Sequence, residues 1–356
     1  MSILENVNDI AELRALPEEQ LPELCSEIRA FLIESLSKTG GHLASNLGTV
    51  ELTVALDRVY DPYRDRIVFD VGHQCYTHKL LTGRREGFDK LRKYGGISGF
   101  PKPSESGADA FIAGHASNSV SVALGMARAR TRLGGDYDVV AIIGDGALTG
   151  GLAYEGLSNA GQSGEPMVVI LNDNAMSIGS NVGGMARLLS RMRVKPGYFA
   201  FKRWYRATVG RVKPVYDLAH RVKEGVKGAI LPENMFDDLG FYYLGPIDGH
   251  DIPALESAIA WARDMRVPVL LHVITQKGRG CSFAEADPEK YHGVGPFDPV
   301  TGALKKGAAS FSSAVGAALC REAEGDSRIA ALTAAMAEGT GLAQFARRFP
   351  ERFFDT

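Results

Sequence analysis

No apolar run in this sequence approaches the roughly 20 residues needed to span a bilayer, so a membrane-spanning protein is not expected. Cysteine is scarce. Cys25, Cys75, Cys281 and Cys320 stand far apart, and none falls in a C-x-x-C pair. That argues against a disulfide framework or a thiolate metal cage and fits a reducing cytoplasm. Neither sign of charge is in excess: 40 Lys and Arg face 42 Asp and Glu, a net charge of −2. No electrostatic case for nucleic acid follows. The opening MSILENVNDI carries acids early and lacks an apolar core, so no signal peptide is expected. Internal repeats and low-complexity tracts are absent. What remains is ordinary globular sequence, 45% hydrophobic and 23% charged over 356 residues, with room for two domains.

The stretch from Val139 to Asn174 organises the chain. An apolar, β-rich run (139–143) ends in Gly144-Asp145-Gly146, a helical pattern follows, and a second apolar run (167–171) ends in Asn172-Asp173-Asn174. Strand, turn, helix and strand place Asp145 and Asn174 at the carboxyl ends of neighbouring parallel strands, where open α/β sheets bind ligands. Asp145 supplies an anionic oxygen and Asn174 a neutral one, both suited to Mg²⁺ beside phosphates. The glycines let backbone approach a diphosphate closely. A GDG closed by an Asn about 30 residues later resembles the thiamine-diphosphate motif. Two other readings stay open. The polar strand ends could simply be solvated, or the glycines could belong to a dinucleotide fingerprint. Asp145 argues against the second, because a carboxylate there would face the pyrophosphate.

Elsewhere, one amphipathic helix before residue 38 presents Leu24, Ile28, Phe31, Leu32 and Leu36 on one face. Gly40-Gly41 stops it, and His42 follows. A helix over 49–59 is next. RIVFDV (66–71) reads as a strand leading into Gly72-His73-Gln74, and 76–93 as a basic helix. Ser or Asn before the small-residue helix at 120–130 is expected to cap it, and that helix start could hold a phosphate. The basic, aromatic stretch 196–212 reads as a solvated or lid-like segment, and 214–229 as a helix. His250, in an Asp-Gly-His-Asp turn before the 253–263 helix, reads as a structural or capping histidine. Residues 268–275 form a buried strand, and 281–305 a linker carrying His292. A helix over 306–322, a strand over 328–333 and a helix over 339–349 look like the opening of a second α/β domain. His42, His73 and His115 fall in strand-end or helix-start loops. With His292 they read as a proton-handling set, able to exchange protons in both directions near neutral pH.

The segments GGHLASNLGTVELTVAL, DRIVFDVGHQCYTHKLLTGRRE, GGISGFPKPSES, GHASNSVSVALGMA, GDGALTGGLAYEGLSNAG, VVILNDNAMSIGSNVGG, GFYYLGPIDGHD, QKGRG and AAMAEGTGL resemble the 1-deoxy-D-xylulose-5-phosphate synthase family, within the transketolase-like thiamine-diphosphate enzymes. DVGHQ and NDNAMSI separate it from transketolase. The resemblance implies a mostly parallel sheet flanked by helices on both faces. The domain that binds the cofactor diphosphate would occupy 1–280, with the incomplete start of a pyrimidine-binding domain at 306–356. It implies Asp145, Asn174 and the Met176 carbonyl as Mg²⁺ ligands. It implies His73, Gly114, His115, Ala116, Gly146, Ala147, Asn174 and Lys277 as cofactor contacts, and His42, His73 and His292 as active-site histidines.

The implied reaction condenses pyruvate with glyceraldehyde 3-phosphate and releases CO₂, serving isoprenoid-precursor, thiamine and pyridoxal biosynthesis in a cytoplasmic homodimer. Two departures stand out. Cys281 replaces the aromatic residue that follows KGRG in many members. Neither Glu338 nor Glu351 matches the cofactor-activating glutamate, so the chain alone is expected to be inactive. The alternatives are a cofactor-binding subunit or fragment of a split enzyme, completed by a partner chain, and a dinucleotide-dependent oxidoreductase. An incomplete second domain also predicts apolar exposure around 329–332 and 349–354.

Overall fold

The structure, a computed structural model, describes residues 2–176, 235–305, 310–334 and 336–356. The basic aromatic stretch 196–212, the 214–229 helix and the beginning of the 306–322 helix lie outside the described residues.

Five apolar runs become strands: β1 (Arg66–Phe69), β2 (Val139–Gly144), β3 (Met167–Asp173), β4 (Tyr242–Asp248) and β5 (Pro268–Ile274). They form one parallel sheet in the order β1-β2-β3-β5-β4. Their near-continuous hydrophobicity follows from burial on both faces. The period of two sorts each strand between two cores. Val140, Ile142, Val168, Ile170, Val269 and Leu271 pack with helices Val50–Val59 and Ile252–Asp264. Ala141, Ile143, Val169, Leu171 and Leu270 meet helices Ser119–Leu133 and Gly151–Ser163. β2 and β3 pair through Gly144 and Asn172, so Asp145 and Asn174 leave adjacent strands at the same edge.

The expected amphipathic helix runs Leu21–Thr39, with Leu24, Ile28, Leu32 and Leu36 fully buried. It ends at Gly40, φ +73°. Gly41 follows at φ +148°, where a Cβ would meet Leu36 Cδ2 at 2.6 Å. The second part of the chain packs Cys320, Ala323, Ala331 and Phe345 together. There the helix Phe311–Gly325 begins in a Ser310/Ser313 capping box, and β6 (Ala331–Thr333) pairs in parallel with β7 (Phe353–Asp355). Leu332 and Phe354 are exposed, as expected, and so is Phe311, at 94%. Ala331 is buried, and Ile329, Phe349 and Phe353 are partly covered by that small core.

Three expectations are corrected. The basic helix over 76–93 is a short α-helix, Tyr76–Leu81, followed by a 3₁₀ turn at Arg85–Lys90. Its charges point inward: Lys79 is fully buried, and its Nζ donates to Glu105 Oε2 at 2.7 Å. Residues 281–305 do not run as a free linker. Tyr291, Val294 and Phe297 belong to the main core, and Val294 bridges to Gly41. Finally, neither Ser nor Asn caps the Ser119–Leu133 helix through its side chain. The buried Asp70 carboxylate accepts from Ser117 N at 2.8 Å and from Ser119 N at 3.0 Å instead. A carboxylate therefore occupies the helix start that the sequence offered as able to hold a phosphate.

Candidate active site

The site opens at the carboxyl edge of the sheet. Asp145 is buried, and its backbone N–H donates to Asn172 O at 3.1 Å. After β3 the chain turns tightly: Ala175 takes a left-handed φ of 67°, and Met176 N donates to Asn174 Oδ1 at 3.1 Å. One carboxylate, one amide oxygen and one backbone carbonyl make a hard-oxygen set of the kind Mg²⁺ takes. Among the described residues no three His, Cys, Asp or Glu side chains gather as a metal cage. A Cβ built on Gly114, Gly144 or Gly151 would meet nothing within 4 Å, which leaves space beside these backbones. Gly114, His115 and Ala116 are exposed, and Gly146 and Ala147 are half-buried. Lys277 is buried, and its ammonium is pushed down to about 8 by burial, against the pull of Asp145 and Glu289. These residues fit a diphosphate held through a divalent cation.

Three of the four expected histidines converge. The ring centroids of His42 and His73 lie 5.1 Å apart, those of His73 and His292 5.0 Å, and those of His42 and His292 5.6 Å. Gly72 at φ +80° turns β1 sharply into His73; a Cβ there would meet Pro101 Cδ at 2.5 Å. Tyr76 Oη stands 3.4 Å from His42 Nδ1, and Ser45 Oγ stands 3.2 Å from His292 Nδ1. His73 Nδ1 is buried and has no hydrogen-bond partner among the described residues, which leaves a ring nitrogen for a ligand. His115 stays apart on its exposed loop.

Burial lowers all three rings. His42 is held at about 4 by burial and then by Arg92; His292 is held at about 3 by burial, Lys277 and His42. His73 lies well below the ordinary range, first through burial and then through the nearby His292, His42 and Lys277. This corrects the expectation of exchange in both directions near neutral pH: the cluster is a set of neutral imidazoles at pH 7.

A second network holds the loop that carries Lys277. Arg29 Nη2 donates to Glu51 Oε2 at 2.6 Å, and His250 Nδ1 lies 3.0 Å from the same oxygen. His250 Nε2 accepts from Gln276 N–H at 2.9 Å. An N–H can only donate, so the proton of His250 sits on Nδ1 and faces Glu51. The structural role expected of His250 stands. Burial pushes the Glu51 carboxyl up, but hydrogen bonds from His250 and Arg29 outweigh it and hold it down at about 2. A depressed carboxylate contributes stability above its unfolded pKa, near the usual 4.5, and that contribution disappears as pH falls towards 2. Acid unfolding of Glu51→Gln beside the parent chain is expected to show their stability difference shrinking across that window. A constant difference from pH 6 to pH 2 would contradict it.

Cys281, the residue in place of an aromatic, is buried in the main core just before the short Ser282–Ala286 helix, with no capping hydrogen bond from its side chain. Two buried histidines, His78 of the expected basic helix and His272 of β5, have carboxylate partners that the sequence does not show. His78 Nδ1 lies 3.0 Å from each Asp57 carboxylate oxygen, and His272 Nε2 lies 2.9 Å from Asp173 Oδ2. Their carboxylate partners are distant in sequence, and no local spacing announces them.

The fold is a transketolase-like α/β architecture. The architecture is shared with transketolase from Campylobacter jejuni subsp. jejuni NCTC 11168, at TM-score 0.56 and 21% identity over 78% of this chain and 41% of that one. Transketolase from Leishmania mexicana matches at TM-score 0.56 and 19% identity, over 93% of this chain and 48% of that one. A family model described as 1-deoxy-D-xylulose-5-phosphate synthase matches residues 4–275. The chain belongs to that family. It is 51% identical, over its whole length, to the 1-deoxy-D-xylulose-5-phosphate synthase of Desulforudis audaxviator, and 50% identical over 99% of its length to that of Thiobacillus denitrificans. It spans 57% and 58% of those two relatives. No helix among the described residues is long and apolar enough to cross a membrane.

Proposed function

We propose that this chain is the part of a 1-deoxy-D-xylulose-5-phosphate synthase that binds the cofactor diphosphate and supplies the histidine face of its active site. The proposed reaction joins pyruvate to glyceraldehyde 3-phosphate with loss of CO₂. The catalytic assembly would be a cytoplasmic homodimer that includes the length of the relatives not spanned here. The carrying observation is the convergence of His42, His73 and His292 with Lys277 and the Asp145 strand end.

In this reading Asp145, Asn174 and the Met176 carbonyl hold Mg²⁺. Gly114, His115, Ala116, Gly146 and Ala147 would line the cofactor, with His73, Asn174 and Lys277 beside it. Thiamine diphosphate, when bound, supplies the carbon nucleophile and the electron sink for decarboxylation. The protein's share is orientation and proton movement. His42 and His73, neutral and close-packed, would donate hydrogen bonds to the pyruvate carboxylate and keto oxygen. His292, oriented by Ser45, moves the proton at the oxygen whose charge changes. Exclusion of water by the buried walls strengthens each of these contacts.

Calorimetric titration of this chain with thiamine diphosphate and Mg²⁺, beside Asp145→Asn, tests the diphosphate site. Mg²⁺-dependent binding that the variant weakens at least 100-fold, about 2.7 kcal/mol, is expected. Equal binding by both chains would refute it. The second reading, a binding subunit inactive by itself, is separated by adding a chain that carries the remaining domains and following pyruvate consumption.

A further inference from the structure

Asp173, His272 and Tyr243 form a polar file on the core face of the sheet. Asp173 and His272 are fully buried, and they continue the apolar rows of β3 (Val169, Leu171) and β5 (Leu270) on that face. Asp173 Oδ2 lies 2.9 Å from His272 Nε2, and His272 Nδ1 lies 2.8 Å from Tyr243 Oη. A carboxylate only accepts, so Nε2–H donates to Asp173 and Nδ1 is left to accept the tyrosine hydroxyl. Phe236 stacks on Tyr243 with its ring 6.0 Å away and within 3° of parallel. Three adjacent strands, β3, β5 and β4, thus each contribute one member.

Burying a carboxylate, an imidazole and a phenol hydroxyl among leucines and valines costs stability that an apolar trio would not lose. The other end of the file shows what it accomplishes. Asp173 Oδ1 accepts from Ala175 N–H at 3.2 Å, across the left-handed turn that carries Asn174 and Met176. Asp173 O also accepts from Thr275 N at 3.0 Å, and Thr275 Oγ1 donates to Asn172 Oδ1 at 2.6 Å. Both oxygens of Asp173 are therefore committed, one to the turn and one to the file.

We infer that Tyr243 and His272 position the metal-binding turn through Asp173, fixing Asn174 and the Met176 carbonyl in register with Asp145. The inference rests on the proposed diphosphate site. The file touches no substrate; its members are positioning residues, and their effect falls on metal affinity. Partners behind the ligands of a metal site typically change affinity about 10–100-fold when removed.

The test is binding of Mn²⁺, in place of Mg²⁺, in the presence of thiamine diphosphate, followed by electron paramagnetic resonance. It compares the parent chain, Asp145→Asn, Tyr243→Phe and His272→Gln. The metal-free melting temperature of each is measured alongside. Tyr243→Phe keeps the ring stack and removes only the hydroxyl, which guards against loss of folding. The expected result is Mn²⁺ binding at least 10-fold weaker in both file variants, with the metal-free melting temperature of Tyr243→Phe unchanged. Parent-like Mn²⁺ affinity in both would overturn the inference while leaving the diphosphate site intact. So would weakening that accompanies an equal loss of melting temperature without metal, since that is a general packing role. If the parent and Asp145→Asn bind Mn²⁺ alike, the site reading itself fails, and the inference with it.

Discussion

Replacing His292 by Ala in the complete synthase assembly is expected to lower turnover by roughly 10²–10⁴-fold, the range for loss of a positioned acid or base. The expectation comes from its placement. His292 is half-buried, stands 5.0 and 5.6 Å from the other two rings, and has Ser45 Oγ at 3.2 Å from Nδ1. Held at about 3, it is neutral at pH 7 and able to accept a proton. An anion bound among the rings would favour their protonated forms and raise their pKa values. Single-turnover kinetics should therefore show the loss in the chemical step, with cofactor affinity retained. Proton NMR of the imidazoles should show the His42 midpoint near 4 without ligand, moving up when a pyruvate analogue binds. Full turnover in His292→Ala, His42→Ala and His73→Ala together would remove the cluster from the mechanism.

The largest effect on stability is expected at Asp109. Its carboxylate accepts from Arg84 Nη1 at 2.6 Å and Nη2 at 3.0 Å, and from Lys102 N at 2.7 Å. Lys79 Nζ lies 3.9 Å away and His78 Nε2 3.6 Å away. Asp109→Ala would leave Arg84 and Lys79 buried with only part of their compensation. Breaking a buried pair in this way destabilises by about 3–5 kcal/mol, far more than an exposed pair would. Urea unfolding should show a lower midpoint at unchanged slope. A shift worth less than about 1 kcal/mol would mean that the network adds specificity without stability. The sign with pH also follows. Burial pushes the Asp109 carboxyl up, but the Arg84 contacts outweigh it and hold it below the usual range. Its stabilisation is present above the ordinary carboxylate pKa and is lost as the solution is acidified through the depressed value.

These two sites differ in how far the sequence disclosed them. Gly144-Asp145-Gly146 and Asn172-Asp173-Asn174 were readable because a strand end, a turn and a ligand oxygen lie within three residues of one another. Helical periodicity likewise disclosed the Leu21–Thr39 helix, and apolar runs disclosed β1, β2, β3 and β5. His42, His73 and His292 were readable as individuals in loops, but nothing local states that their rings meet or that burial holds them neutral. The Asp109 network draws on residues that the sequence presents only as a basic helix over 76–93. Arg84 and Lys79 look like surface residues until the 98–109 loop brings Glu105 and Asp109 to them. Asp70 at the start of the Ser119–Leu133 helix escaped for the same reason, being 47 residues from Ser117. Partners across such distances are chosen by topology, which single-chain spacing does not encode.

The strap formed by 281–305 has a kinetic consequence. Ser45 and His292 meet across 247 positions, and Gly41 meets Val294 on the same seam. Contacts this non-local form after the local ones, because closing a long loop costs entropy before any contact repays it. During synthesis the helices and the first strands can assemble while the seam has no second side. The histidine cluster thus closes only after residues 281–305 have been synthesised.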